Sequence, residues 1–160
     1  MLNIKIICVG KLKEKYWKEA VSEYSKRLNA YCKLAINEVR DEKIPDSNSS
    51  ADEEKVKDME GKQILKNIKD SEYVICLDLS GEELNSLQLS EKLEKLALTG
   101  TNQIDFIIGG SLGIGKEVLD RADEKMSFSK LTFPHQMIRT ILLEQIYRAF
   151  KISRGEVYHK

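Results

Sequence analysis

Residues 107–118, IIGGSLGIGKEV, pass from an apolar run through a glycine-rich turn into a helical pattern. Backbone N–H groups in such a turn can hold a carboxylate, a phosphate or a ribose. Gly110 and Gly115-Lys116 have the spacing of a nucleotide P-loop, but Glu117 stands where Ser or Thr would bind Mg²⁺. A carboxylate there repels the phosphates that the loop would hold, and the dinucleotide pattern G-x-G-x-x-G is absent, so nucleotide hydrolysis is a poor reading. Two readings stay open for the loop alone: a small-ligand turn, or a turn demanded only by backbone geometry.

A second group of chemically capable residues lies in 127–160, SFSKLTFPHQMIRTILLEQIYRAFKISRGEVYHK. Ser129, Thr132, His135, Gln136 and Arg139 crowd around Pro134. His135 opens a helix, where the dipole disfavours the imidazolium form. Arg139 and Arg148 are nine apart, about 2.5 helical turns, so they project to opposite sides and serve different partners. Tyr158, His159 and Lys160 follow Gly155 as a polar end, either a frayed tail or a functional one. Asp78 is the one acid placed at a strand end. There is no Ser/His/Asp arrangement, no HExxH and no carboxylate pair of a hydrolase. Cys8, Cys32 and Cys76 stand alone in apolar runs, which predicts buried thiols in place of a zinc site or a disulfide scaffold.

Alternating elements must hold these groups. Residues 4–9 read as a strand, and Tyr16, Trp17, Ala20, Val21, Tyr24, Leu28 and Tyr31 recur at helical spacing after it. A strand is predicted over 34–39, and a surface loop over 41–54. The next helix, 53–68, contains Gly61, a cost unless something packs closely there. A strand over 73–79 leads through an SGEEL turn to a helix over 90–98, and a strand over 103–110 leads through the glycine loop to a short helix over 116–122. Residues 126–133 alternate until Pro134, and a last helix spans 135–154. Its apolar cover exceeds the ~100° that one packing surface needs, which predicts a partner helix. Strands separated by helices imply a largely parallel sheet covered on both faces, with ligands bound outside the carboxyl ends of its strands.

The 160 residues fit one domain. No apolar run reaches the ~20 residues of a bilayer span, and no cleavable leader pattern is visible, so a cytoplasmic protein without membrane attachment is expected. The 26 basic and 26 acidic side chains cancel, yet both ends are basic and the middle is acidic. Folding can bring Lys11, Lys13, Lys15, Lys18, Lys26 and Arg27 close to Arg139, Arg148, Lys151, Arg154 and Lys160 as a polyanion-facing surface.

VGKLKEKYW, FIIGGSLG, SFSKLTFPHQMIR, LLEQIYRAF and the terminal YHK together closely resemble the bacterial ribosomal RNA large subunit methyltransferase H family. The likeness covers essentially the whole chain. It implies an α/β fold of the SPOUT type, with a C-terminal trefoil knot within about 73–155, and a homodimer built on that region. It also implies methylation of N3 of a pseudouridine in large-subunit ribosomal RNA, on the assembled ribosome, with S-adenosylmethionine as donor and no metal. The family's cofactor pattern maps onto Leu77, Gly109, Phe128, Ser129, Lys130, Leu131, Thr132 and Phe133. Its functional C-terminal residues match Arg148, Tyr158 and His159, with His135 and Arg139 as the next choices. The alternatives are a related SPOUT enzyme acting on transfer RNA or another ribosomal nucleotide, and a non-catalytic ribosome-binding or assembly factor.

Overall fold

A computed structural model describes residues 1–46 and 49–160. Ser47 and Asn48, part of the expected surface loop, lie outside the described residues. Among the described residues, five strands form one sheet: β1 (Asn3–Val9), β2 (Lys33–Val39), β3 (Tyr73–Glu83), β4 (Gln103–Ile108) and β5 (Glu124–Ser127). Their order is β2-β1-β4-β3-β5 and every pairing is parallel. The helices of the described residues connect and follow them: α1 (Lys15–Leu28), α2 (Ser50–Leu65), α3 (Ser86–Leu98), α4 (Lys116–Arg121) and α5 (His135–Ser153).

The central strands are apolar on both faces because both are covered. Ile4, Ile6, Ile104, Phe106 and Ile75 point into a core shared with Leu28 of α1, Leu89 and Leu93 of α3, and Leu142, Leu143 and Ile146 of α5. Ile7, Val74, Cys76 and Ile107 point the other way, against Ile64 of α2 and Val118 of α4. This is the period-2 alternation of a strand with two buried faces. The three cysteines are free and buried; burial pushes the Cys8 thiol up to about 11 and those of Cys32 and Cys76 up to about 12. Gly61 has its packing reason: a Cβ there would lie 3.2 Å from Val118 Cγ2, so glycine lets α2 sit tightly on α4. Among the described residues, no helix is long and apolar enough to cross a membrane.

Several expectations need correction. The third helix begins at Ser86, not 90, because Asn85 and Gln88 form a reciprocal capping box. Strand β3 continues to Glu83 after a register shift in which Leu77 and Glu82 both pair with Met126. Asp78–Gly81 therefore bulge out of the ladder instead of forming a turn. The alternating run 126–133 is a strand only through Ser127; beyond it Ser127 Oγ donates to Ser129 O at 2.9 Å and Leu131 N donates to Ser129 Oγ at 3.1 Å. Tyr31 lies past the end of α1, buried against the rings of Tyr147 and Phe150. On α5, Leu142, Leu143, Ile146 and Ala149 are buried in the chain's own core, while Met137, Ile138, Ile141 and Phe150 are half-buried.

Candidate functional site

Two cavities open near the carboxyl ends of β3, β4 and β5. The larger, about 730 Å³, is bounded by Leu77 and the Asp78–Leu79 bulge, by the glycine loop from Gly109 to Ile114, by residues 126–129 and 131–134, and by His135 and Ile138 at the start of α5. Short-range contacts hold these walls in shape. The bulge is held by Asp78 Oδ2, which accepts from Ser80 N at 3.1 Å and from the Ser80 hydroxyl. The glycine loop turns where Gly113 N donates to Gly110 O at 3.0 Å, with Gly113 at φ +91°, a region costly for other residues. Gly109 is required by space: a Cβ would lie 2.8 Å from Gly113 C.

Leu77, Gly109, Phe128, Ser129, Leu131, Thr132 and Phe133 thus surround one cavity, while Lys130 is absent from its lining. His135 lines the same cavity, and burial, followed by the nearby Arg139 charge, pushes its imidazole down and favours the neutral ring. The second cavity, about 500 Å³, is lined by Leu84–Leu87, Phe128, Ile141, Gln145 and His159. Phe128 lines both.

Arg148, Tyr158 and His159 also come together. Arg148 Cζ lies 4.8 Å from the centroid of the Tyr158 ring, and its Nη1 stands 3.2 Å from His159 Nδ1. A residue outside the expected set joins them: Glu144 Oε1 accepts from Arg148 Nη2 and, at 3.0 Å, from the Tyr158 hydroxyl. The LLEQIYR register carried that signal, since Glu144 and Arg148 are an i,i+4 pair. Burial, then the hydrogen bond to Glu144, pushes the Tyr158 phenol up to about 12, so it stays a donor.

Arg139 is placed elsewhere. Only 2% exposed, it pairs with Glu38 at 2.6 Å and donates to the carbonyls of Gly10 at 2.6 Å and Val9 at 3.3 Å. It ties α5 to the ends of β1 and β2 and does not belong to an anion-facing surface. Arg27, Lys151 and Arg154 do bring the two chain ends together, over the rings of Tyr31 and Tyr147, although Glu23 and Glu156 neutralise part of that charge.

The family model described as "Predicted SPOUT methyltransferase" matches residues 2–159. The chain belongs to the SPOUT methyltransferase family. This SPOUT methyltransferase is 59% identical over 159 residues to a protein of Clostridium novyi (strain NT) named "Ribosomal RNA large subunit methyltransferase H". Proteins of the same name from Clostridium kluyveri (strain ATCC 8527 / DSM 555 / NBRC 12016 / NCIMB 10680 / K1) and Clostridium botulinum (strain Langeland / NCTC 10281 / Type F) are 58% and 57% identical. Each alignment covers 99% of this chain and 100% of the relative.

Proposed function

We propose that the protein is a 23S ribosomal RNA (pseudouridine-N3)-methyltransferase that uses S-adenosylmethionine. The observation that carries this reading is the pair of adjoining cavities sharing Phe128, one among strand ends and the other reached by His159. Methyl transfer needs donor and acceptor in line and within contact, and two cavities that share Phe128 suit that need. The names borne by the relatives support a ribosomal RNA substrate.

The larger cavity suits the donor. Its volume of about 730 Å³ falls in the ~300–1,000 Å³ range of small-ligand sites. Leu77, Ile108, Met126, Phe128 and Ile138 give it apolar walls, and the backbone at 109–113 and 127–134 offers peptide groups for a purine edge. When bound, S-adenosylmethionine supplies a methyl group already activated by its sulfonium. The chain's own residues then have two tasks: to orient the acceptor ring, and to make its N3, which carries a proton and is a weak nucleophile, reactive. Arg148 and His159 serve both, holding the ring and stabilising the negative charge that develops on it, while Tyr158, whose one hydroxyl proton goes to Glu144, lays its ring against the Arg148 guanidinium. His135, kept neutral in the cavity wall, can hydrogen-bond without opposing the positive sulfonium. No metal ion has a part in this scheme. A homodimer, a knotted chain path within 73–155, a cytoplasmic setting and an assembled ribosomal particle as substrate complete the proposal.

Removal of residues 158–160 tests it. Donor affinity by calorimetry should stay within about twofold, while single-turnover methylation of ribosomal particles falls at least ~100-fold, the scale of a lost catalytic group. Digestion and mass spectrometry of the wild-type product should locate the methyl on N3 of a pseudouridine in 23S RNA. Methylation of another nucleotide, or a truncated protein as fast as wild type, overturns the reading.

A further inference from the structure

We propose that Glu144 is a positioning residue: it clasps the C-terminal segment onto α5 and fixes the proton of His159 on Nε2, so the ring offers a donor, not a base, to the acceptor. The inference rests on the reading that this segment touches the target ring.

Both carboxylate oxygens of Glu144 are engaged. Oε1 takes Arg148 Nη2 and the Tyr158 hydroxyl, and Oε2 takes Gln145 Nε2 at 2.9 Å. Gln145 Oε1 in turn accepts from Ser86 Oγ at 2.9 Å, which ties the clasp to the beginning of α3. Glu144 keeps 16% of its side chain exposed, a setting in which charge-assisted bonds are stronger than on an open surface. Its hydrogen bond to Arg148 is also what most raises the guanidinium's proton affinity.

The tautomer follows from donor and acceptor counting. A guanidinium has five N–H donors and no acceptor, so His159 Nδ1, 3.2 Å from Arg148 Nη1, must present its lone pair. In the neutral ring the proton then sits on Nε2. A ring held this way can donate to a carbonyl oxygen flanking N3, where negative charge collects as N3 gives its proton to solvent water before attacking the methyl group. It cannot also take a proton at Nε2. Tyr158, already donating to Glu144, is equally unsuited to act as base.

The chain has two histidines, so their ring nitrogens can be assigned from ¹⁵N-histidine-labelled protein without RNA or donor. At pH 8 wild-type His159 should show a protonated Nε2 and a bare Nδ1. Glu144→Ala should give mixed tautomers at His159 and lose ordered amide signals over 156–160. Its single-turnover methylation should fall ~100-fold with donor affinity within twofold. Glu144→Gln, which keeps an oxygen acceptor for Tyr158 and Arg148, should recover at least tenfold of that rate and restore the single tautomer. An unchanged tautomer in Glu144→Ala, or an unchanged rate, overturns the inference. Should wild-type protein methylate some other nucleotide, the functional reading fails, and the ring spectra alone still decide whether Glu144 holds the tail.

Discussion

Arg139 and Arg148 share one helix and do unrelated work, because nine residues carry them to opposite sides of it. Arg139 is a buried ion with a carboxylate and two strand-end carbonyls as partners. Replacing it with Met should cost about 2–4 kcal/mol in denaturant melts, somewhat below the ~3–5 of a fully buried pair, because Glu38 keeps 34% of its side chain in water. Arg139→Lys should recover little, since one ammonium cannot span all three acceptors. Glu60 makes the opposite kind of case. At 3% exposure it accepts from Glu42 N at 3.1 Å, and burial, with Asp41 and Glu42 nearby, raises its carboxyl from 4.5 to about 7. A raised folded value means that its stabilising share is complete below pH 4.5 and is lost as pH rises through about 7. Glu60→Gln should therefore gain roughly 1–3 kcal/mol at pH 8 and little at pH 4, read from urea midpoints at both. Asp105, raised by burial to about 6 beside Glu72 and Lys5, will leave a residual slope below that pH. The sequence showed Arg139 and Arg148 as cations on a helix, and helical spacing correctly separated them. The sign that Glu60 is buried was faint: it stands four residues from both Val56 and Ile64, on one face of α2, but a carboxylate there reads as solvated until that face docks on the sheet.

At the scale of elements, the cavity exists because three strands end in irregular backbone. The glycine loop was legible, since a strand followed by closely spaced glycines must turn. The bulge after Leu77 was not, because its cause is the register of β3 against β5, a long-range pairing. The six residues after Ser127, 128–133, misled the alternation rule for a related reason: β5 is an edge strand, and once it loses β3 its chain is free to wall the cavity. The start of α3 was readable in principle from Asn85 and Gln88, three apart. Gly109→Ala tests the loop. Its added methyl would sit 2.8 Å from the backbone of Gly113, so residues 109–114 must move, and donor affinity should fall at least tenfold by calorimetry while far-ultraviolet circular dichroism stays unchanged. Gly113→Ala, with nothing within 4 Å of the new methyl but φ at +91°, should cost ~1–2 kcal/mol in stability and less in affinity.

For the whole molecule, the question is what covers the apolar rim of the site. Leu79 and Leu131 are 62% and 71% exposed at the larger cavity, and Leu87 is 50% exposed at the smaller. Scattered exposed leucines are ordinary; the proposed homodimer would cover several of them around one pair of cavities. The wide apolar character of α5 alone is a weaker argument than its sequence suggested, since four of its positions face the chain's own core. Ile141 and Leu142 separate the two roles. Leu142 is fully buried among sheet and helix residues, so Leu142→Glu places an unpaired charge in the core and should unfold the protomer. Ile141 is half-buried at the second cavity, beside Phe128. Ile141→Glu should leave the fold intact, with a thermal midpoint within a few degrees of wild type, and weaken association at least tenfold in equilibrium sedimentation. Wild-type protein should sediment at twice the 18.3 kDa of one chain across the micromolar range. A wild-type mass of 18.3 kDa would mean that the leucine rim meets RNA or solvent, and that the clasped tail must serve the donor cavity of its own protomer.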